Sequence, residues 1–180
     1  MATAALLAGA AAAEPLAYVE RGRTLFIIDA PSGWTARPGF ETDPAAMPEG
    51  AVPAPRLLTL MPDAPAGLMW AGFWAPPGLS DIDSPAAARF VRTLADDLLS
   101  EVTVARSRPE RIGGRPARIY SGAGRSAGAD GARRAVLFDL ALIALPEGRV
   151  AAAALIAEPA ARDAHGAALG AMLASLEAGR

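Results

Sequence analysis

The sequence contains no Lys, Cys, Asn or Gln, and His165 is its single histidine. Without Lys the chain cannot form a P-loop phosphate site, a Schiff base or a Ser-Lys dyad. Without Cys it has no thiol nucleophile, no disulfide and no zinc site with cysteine ligands. One imidazole also excludes a metal centre built from several histidines of one protomer. We therefore predict no cofactor and no metal, and only a cation site made of oxygen atoms remains compatible with the composition.

The charges are nearly balanced, with 17 cations, all Arg, against 19 acids, a net charge of −2 and a pI near 5.4. Such a chain has no overall attraction to a phosphate backbone, so we do not expect nucleic acid as a partner. A length of 180 residues fits one domain, which we assign to residues 24–180. We find no transmembrane segment, because no run is long and apolar enough to span a bilayer.

The first 13 residues, MATAALLAGAAAA, are small or apolar and end in Ala11-Ala12-Ala13 before Glu14. This pattern is typical of the core and cleavage site of a secretory signal, and it predicts a periplasmic or secreted protein. The basic residues that usually precede such a core are missing. Either the true start lies upstream, or the segment is an Ala-rich tail. Residues 14–23 are predicted to be a linker.

Apolar runs separated by Gly and Pro predict a sheet joined by hairpins, with two helices. Ser84 and Pro85 have the residue types that begin a helix, because Ser caps free amides and Pro needs no donor at the first position. The predicted order is a strand at 25–28, a Pro-rich loop at 37–56, a hairpin of 56–61 with 67–74, a helix from Pro85, a hairpin turning at Gly113-Gly114, a flexible stretch at 121–132, a hairpin of 135–145 with 150–157, and a helix from Pro159. Hairpin strands are antiparallel, and both faces of several strands are apolar. We therefore predict an α+β fold in which helices and the long loop cover both faces of an antiparallel sheet, an α/β/α sandwich.

Several short motifs in this order resemble the PsbP-like superfamily of α/β/α sandwiches. The motifs are Phe26 to Trp34 (FIIDAPSGW), the helix 86–99, Ile112 to Ala117 (IGGRPA), the hairpin around Gly148 and the final LASL of residues 173–176. The resemblance implies a binding or accessory role without enzymatic activity. It implies no site residues, because the members of this superfamily share no common site.

Candidate catalytic residues come from the motif G-x-S-x-G at Gly124 to Gly128, with Ser126 as the nucleophile. Asp163 and His165 follow in the chain order of a hydrolase triad. A nucleophile elbow requires a strand before the serine and a helix after it, whereas we predict a flexible stretch and then a strand. Two residues that are two apart on a helix also point apart. A serine hydrolase using Ser126 stays an alternative only.

Three further features have structural and functional interpretations. His165 continues an apolar stripe, which favours a position at the edge of the core over a role as a base. Asp139 is the only charge in the strand 135–145 and needs a partner, for which Arg is the default. The segment Gly122 to Ala127 matches a dinucleotide fingerprint, but it opens no helix that could receive a pyrophosphate.

The arginines are concentrated in one part of the chain. Eight of the 17 fall between Arg106 and Arg134, and five of them, Arg106, Arg108, Arg111, Arg115 and Arg118, belong to one predicted hairpin. They either form a surface for an anionic partner or keep strand edges soluble and unpaired. We therefore predict an exported accessory protein without catalytic activity that binds a protein or an envelope component through its surface loops, either the Pro-rich loop or the Arg-rich hairpins. A carrier of a small apolar ligand beside Trp34, Trp70 and Trp74 is the alternative.

Overall fold

The computed structural model describes residues 13–39, 56–128 and 130–179. Most of the signal-like segment and most of the Pro-rich loop lie outside these residues. Ten strands and two helices follow one another along the described chain. They are β1 Glu14–Glu20, β2 Arg23–Ala30, β3 Trp34–Pro38, β4 Leu58–Pro62, β5 Met69–Trp74, α1 Pro85–Leu98, β6 Ser100–Ile112, β7 Arg115–Ala127, β8 Arg133–Leu145, β9 Arg149–Ala157, α2 Pro159–Ala174 and β10 Glu177–Ala178.

The strands form two antiparallel sheets, and the predicted α+β class is confirmed. The main sheet has seven strands in the order β3-β4-β5-β9-β8-β7-β6, and a small sheet has the order β1-β2-β10. All three predicted hairpins are present, as β4-β5, β6-β7 and β8-β9. Residues 151–154 have high helix propensity as four alanines, yet they are buried in β9 between two neighbouring strands. Pairing on both sides outweighs that local preference.

The two helices lie on opposite faces of the main sheet. The strand register places Asp139, Leu155 and Ala71 side by side on one face, and α2 contacts the strands that carry them. The side chains of Trp70 and Trp74 alternate with Ala71 and so point to the other face, where they meet Phe90 of α1. Ser84 caps α1 as predicted, since its Oγ accepts a hydrogen bond from the amide of Ala87 at 3.1 Å.

Four segments differ from the sequence prediction. Residues 14–20, predicted as linker, form β1 and pair with β2. Trp34 begins a strand instead of a loop, and it pairs with Pro62 across β4. The Gly-rich stretch 121–127 belongs to β7. The last helix, which the sequence predicts to end at Gly179, ends at Ala174, and the residues beyond it add β10 to the small sheet.

Ion pairs join the small sheet to the turn between β8 and β9. Arg23 donates two hydrogen bonds of 2.7 Å to the carboxylate of Glu147, which holds the pKa of Glu147 below its usual range. Arg149 also lies 3.6 Å from Glu20. Both pairs are exposed, so they contribute little to stability, and their main effect is to position the small sheet. Neither helix in the described part of the chain has the length and apolarity needed to cross a membrane.

We expect the buried Tyr120 to make the protein sensitive to alkali. Burial raises the pKa of its phenol, and the charge of Arg118 opposes this in part. The neutral phenol is therefore favoured in the folded state. Stability from this group is fully present below pH about 10, and it falls above that pH because the unfolded state ionises first. With no Lys or Cys in the chain, few other groups titrate there.

Urea unfolding at pH about 9 and about 11 would measure this effect. Tyr120→Phe keeps the ring and removes the ionisation, so the free energy of unfolding should fall less between the two pH values than in the wild type. An equal fall in both proteins would contradict the prediction.

Candidate binding sites

The predicted catalytic residues are not assembled. Ser126 lies within β7 opposite Arg134 of β8, so a strand follows it instead of a helix. Asp139 pairs with Ser121 of β7, and side chains alternate along a strand, which places Ser126 and Asp139 on opposite faces of the sheet. His165 and the exposed Asp163 lie on α2, on the face of Asp139. The described residues therefore contain no nucleophile elbow at Ser126.

The glycines of the dinucleotide-like motif have a packing role. A Cβ on Gly122 would overlap the carbonyl oxygen of Thr103 in β6 and lie 2.6 Å from the ring of Phe138. A Cβ on Gly124 would lie 3.2 Å from the side chain of Leu99. Glycine allows other backbone and side chains to approach closely. The motif thus marks a crowded strand instead of a phosphate loop.

Asp139 has the arginine partner that the sequence predicts. Its carboxylate forms an ion pair with Arg162 of α2 and accepts a hydrogen bond from the hydroxyl of Ser121. The Asp139 side chain is 15% exposed and that of Arg162 is 32% exposed. Both oxygens of this half-buried carboxylate are therefore satisfied, as a buried charge requires. The cluster ties α2 to the middle of the main sheet.

His165 lies at the edge of the core, against the ring of Trp34. The two ring centroids are 5.8 Å apart in an edge-to-face arrangement. Its Nε2 is buried and has no hydrogen-bond partner among the described residues. No carboxylate of the described segments orients the imidazole, so the arrangement there lacks the positioned partner that a general base needs. The described residues also contain no group of three or more potential metal ligands.

The predicted arginine surface is divided between the two faces of the sheet. Arg106, Arg108 and Arg115 point to the α2 face, whereas Arg111 and Arg118 point to the α1 face. Arg118 is paired with Asp83 at 2.5 Å, and Arg108 lies 3.6 Å from Glu110. β6 is an edge strand of 13 residues. Charges on this edge discourage pairing with a second copy, which agrees with the structural interpretation.

A second group of arginines lies where the main sheet is uncovered. Arg106, Arg125 and Arg133 share the α2 face, are exposed, and have no carboxylate partner among the described residues. They share this face with Leu137, which is 36% exposed, and with two exposed alanines, Ala123 and Ala135. We call this surface the arginine patch. The alternation of side chains within β8 predicts from the sequence that Arg133 and Leu137 share a face. The β7-β8 register, which the sequence does not give, is needed to place Arg125 on that face as well.

An apolar groove of about 280 Å³ lies between α1 and β5 on the other face. Two of the three tryptophans predicted to line a cavity do so here, Trp70 and Trp74, whereas Trp34 is on the opposite face. Phe90, Leu94 and Leu98 of α1 and Leu57 complete the apolar walls, and Thr93 and Asp97 lie at the polar edge. We call this the aromatic groove. The sequence indicates the aromatic groove through the large apolar residues Phe90, Leu94 and Leu98 of α1. They lie beside the buried Ala87, Val91 and Ala95 on the same helix.

The chain was compared with known proteins. No family model and no curated protein matches it. A solved structure of a Pseudomonas aeruginosa protein of unknown function matches with 14% identity and a TM-score of 0.42, over 86% of this chain and 90% of that one. The solution structure of cyanobacterial PsbP from Synechocystis sp. PCC 6803 matches with 14% identity and a TM-score of 0.54, over 99% of this chain and 98% of that one. The predicted resemblance is confirmed at the level of the fold, and this chain has a PsbP-like fold.

Proposed function

We propose that this chain is an exported accessory protein without catalytic activity that binds an acidic partner protein through the arginine patch. The observation that carries the proposal is the group of three exposed arginines, each without a carboxylate partner in the described structure, on the same face as the exposed Leu137. Arginines that share a surface with exposed apolar side chains are typical of protein interfaces, where the apolar part supplies affinity and the charges select the partner. The signal-like N-terminal sequence supports export.

Protection of the sheet edge does not explain the whole patch. Arg106 lies on the edge strand β6, and Arg133 lies in the part of β8 that extends past β9, but Arg125 of β7 pairs with Ser100 of β6 and with Ala135 of β8. A strand residue that is paired on both sides has no free edge to protect. Arg125 donates a hydrogen bond of 3.2 Å to the backbone oxygen of Arg133, so the two guanidinium-bearing residues are adjacent. Two neighbouring like charges without an acid between them favour an anionic partner.

Charge reversal tests the proposal with a matched control. The variant Arg125→Glu with Arg133→Glu reverses two exposed charges in the patch, and Arg89→Glu with Arg92→Glu reverses two exposed charges on α1. Crosslinking in cells followed by mass spectrometry should recover a partner with the wild type and the α1 variant. The patch variant should bind that partner at least about thirtyfold more weakly, which corresponds to the roughly 2 kcal/mol or more of interface hot spots.

Equal recovery with both variants would remove the arginine patch as the binding surface. Capture of anionic lipid vesicles by the wild type, with no protein recovered, would instead favour an envelope component as the partner. Both variants should keep the far-UV circular dichroism of the wild type, because all four side chains are exposed.

The aromatic groove favours a second candidate function, the binding of a small ligand. Ligand sites are concave, mainly apolar and aromatic, and have a few polar groups at fixed positions. The groove has this composition, and its volume of about 280 Å³ suits a small molecule. This function does not compete with the first, because the groove and the arginine patch lie on opposite faces of the main sheet.

A further inference from the structure

We infer that the aromatic groove binds a small organic cation, such as an alkylammonium or quaternary ammonium group with a short apolar tail. The inference rests on the second candidate function and adds the charge of the ligand. Three aromatic side chains, Trp70, Trp74 and Phe90, line the groove together with the carboxylate-bearing Asp97.

The aromatic rings provide the first reason for a cation. The rings of Trp74 and Phe90 have centroids 6.4 Å apart and are tilted by 52°, so they do not stack on each other. The faces of Trp and Phe carry a negative quadrupole that attracts cations, and Trp attracts them most strongly. Trp74 is buried with 4% exposure, whereas Trp70 and Phe90 are half-buried and still accessible. A ligand in the groove would therefore meet aromatic surface on more than one side.

The end of α1 provides a second and independent reason. Asp97 lies in the last turn of the helix, where the C-terminal dipole is negative and a cation is normally favoured. The last turn contains no basic residue, and Asp96 precedes Asp97. No cation pairs with Asp97 within the described residues.

These two features favour a cation over an anionic or a neutral ligand. An anionic amphiphile would place its head beside Asp97 and the negative end of α1, which costs energy. A neutral apolar molecule would gain from burial in the groove but nothing from Asp97. A cation gains from both, because its charge can lie beside the carboxylate and over the indole rings while its tail contacts Leu57, Leu94 and Leu98.

Three probes with the same six-carbon tail test the inference: hexyltrimethylammonium, 1-hexanol and hexanesulfonate. Tryptophan fluorescence and isothermal titration calorimetry of the full chain would measure their affinities. We expect hexyltrimethylammonium to bind about tenfold more tightly than 1-hexanol, and hexanesulfonate to bind most weakly. Asp97→Asn should weaken the binding of the cation by about two- to fivefold and leave the binding of 1-hexanol unchanged.

Asp96→Asn is the matched control, because it removes the same charge from the neighbouring exposed position outside the groove lining. It should change the affinity for the cation less than twofold. Trp70→Leu should weaken the cation, since it removes a half-exposed ring and keeps an apolar side chain. Equal binding of 1-hexanol and the cation, or equal effects of Asp96→Asn and Asp97→Asn, would overturn the inference and leave an apolar ligand site. Binding of none of the probes would overturn the ligand site itself.

Discussion

Gly122→Ala is expected to lower the free energy of unfolding by about 3 kcal/mol, the upper end of typical overpacking costs. The new Cβ would overlap the backbone oxygen of Thr103 on β6 and lie 2.6 Å from the Phe138 ring. Phe138 is 1% exposed and cannot rotate into solvent. The β6-β7 pairing or the core must therefore shift. Urea or thermal unfolding of the variant would measure the loss.

Gly124→Ala is the matched control for this prediction. It makes the same chemical change two residues further along β7, where the nearest atoms are 3.2 Å from the new Cβ and belong to Leu99 and Ser100. A few tenths of an ångström of movement would accommodate it, so we expect it to cost no more than about 1 kcal/mol. Equal losses for both variants would show that the contact with β6 and Phe138 does not determine the need for glycine.

Asp139→Ala is expected to destabilise the protein by about 2 kcal/mol, because it leaves the half-buried Arg162 and the buried Ser121 without their shared partner. The cost should be below that of a fully buried pair, since Arg162 still reaches water. Chemical unfolding of Asp139→Ala, Arg162→Ala and the double variant would form a double-mutant cycle. The double variant should lose less than the sum of the single losses, because the surviving partner of each single variant is then absent.

Additive losses in that cycle would contradict the coupling between Asp139 and Arg162. Asp139→Asn distinguishes charge from shape, because it keeps the size of the side chain and one acceptor oxygen for Ser121. We expect Asp139→Asn to lower the free energy of unfolding, but by less than Asp139→Ala does. A loss as large as that of Asp139→Ala would assign the whole effect to the ion pair.

Features encoded by near neighbours were predictable from the sequence. The start of α1 depends on Ser84 and Pro85, and the turn of the β6-β7 hairpin depends on Gly113 and Gly114, both of which have positive φ angles. Apolar strands joined by short turns are antiparallel by geometry, which gave the fold class. The arginine partner of Asp139 was predictable as a residue type but not as Arg162.

Features that depend on distant pairing were not predictable. Residues 14–20 contain a proline and two glutamates, and they form a strand because they pair with the edge of β2. The stretch 121–127 begins with four small residues in a row and has low strand propensity, but pairing with β8 along its whole length and with β6 as far as Arg125 holds it extended. Tertiary contacts override local preference in both segments.

The same distinction applies to the candidate sites. The composition alone excludes thiol, lysine and multi-histidine chemistry, because a missing residue type cannot be supplied by folding. The sequence also determines the number of arginines and tryptophans and, through side-chain periodicity, the face of each strand or helix on which they lie. Only the tertiary structure decides which of these residues meet. Strand register places Arg125, Arg133 and Leu137 on one face and separates Ser126 from Asp139, while the packing of α1 on β5 makes Asp97, Trp70 and Trp74 line one groove. The physical reason is that side-chain alternation fixes faces locally, whereas the choice of neighbouring strand or helix is set by burial across the whole sheet.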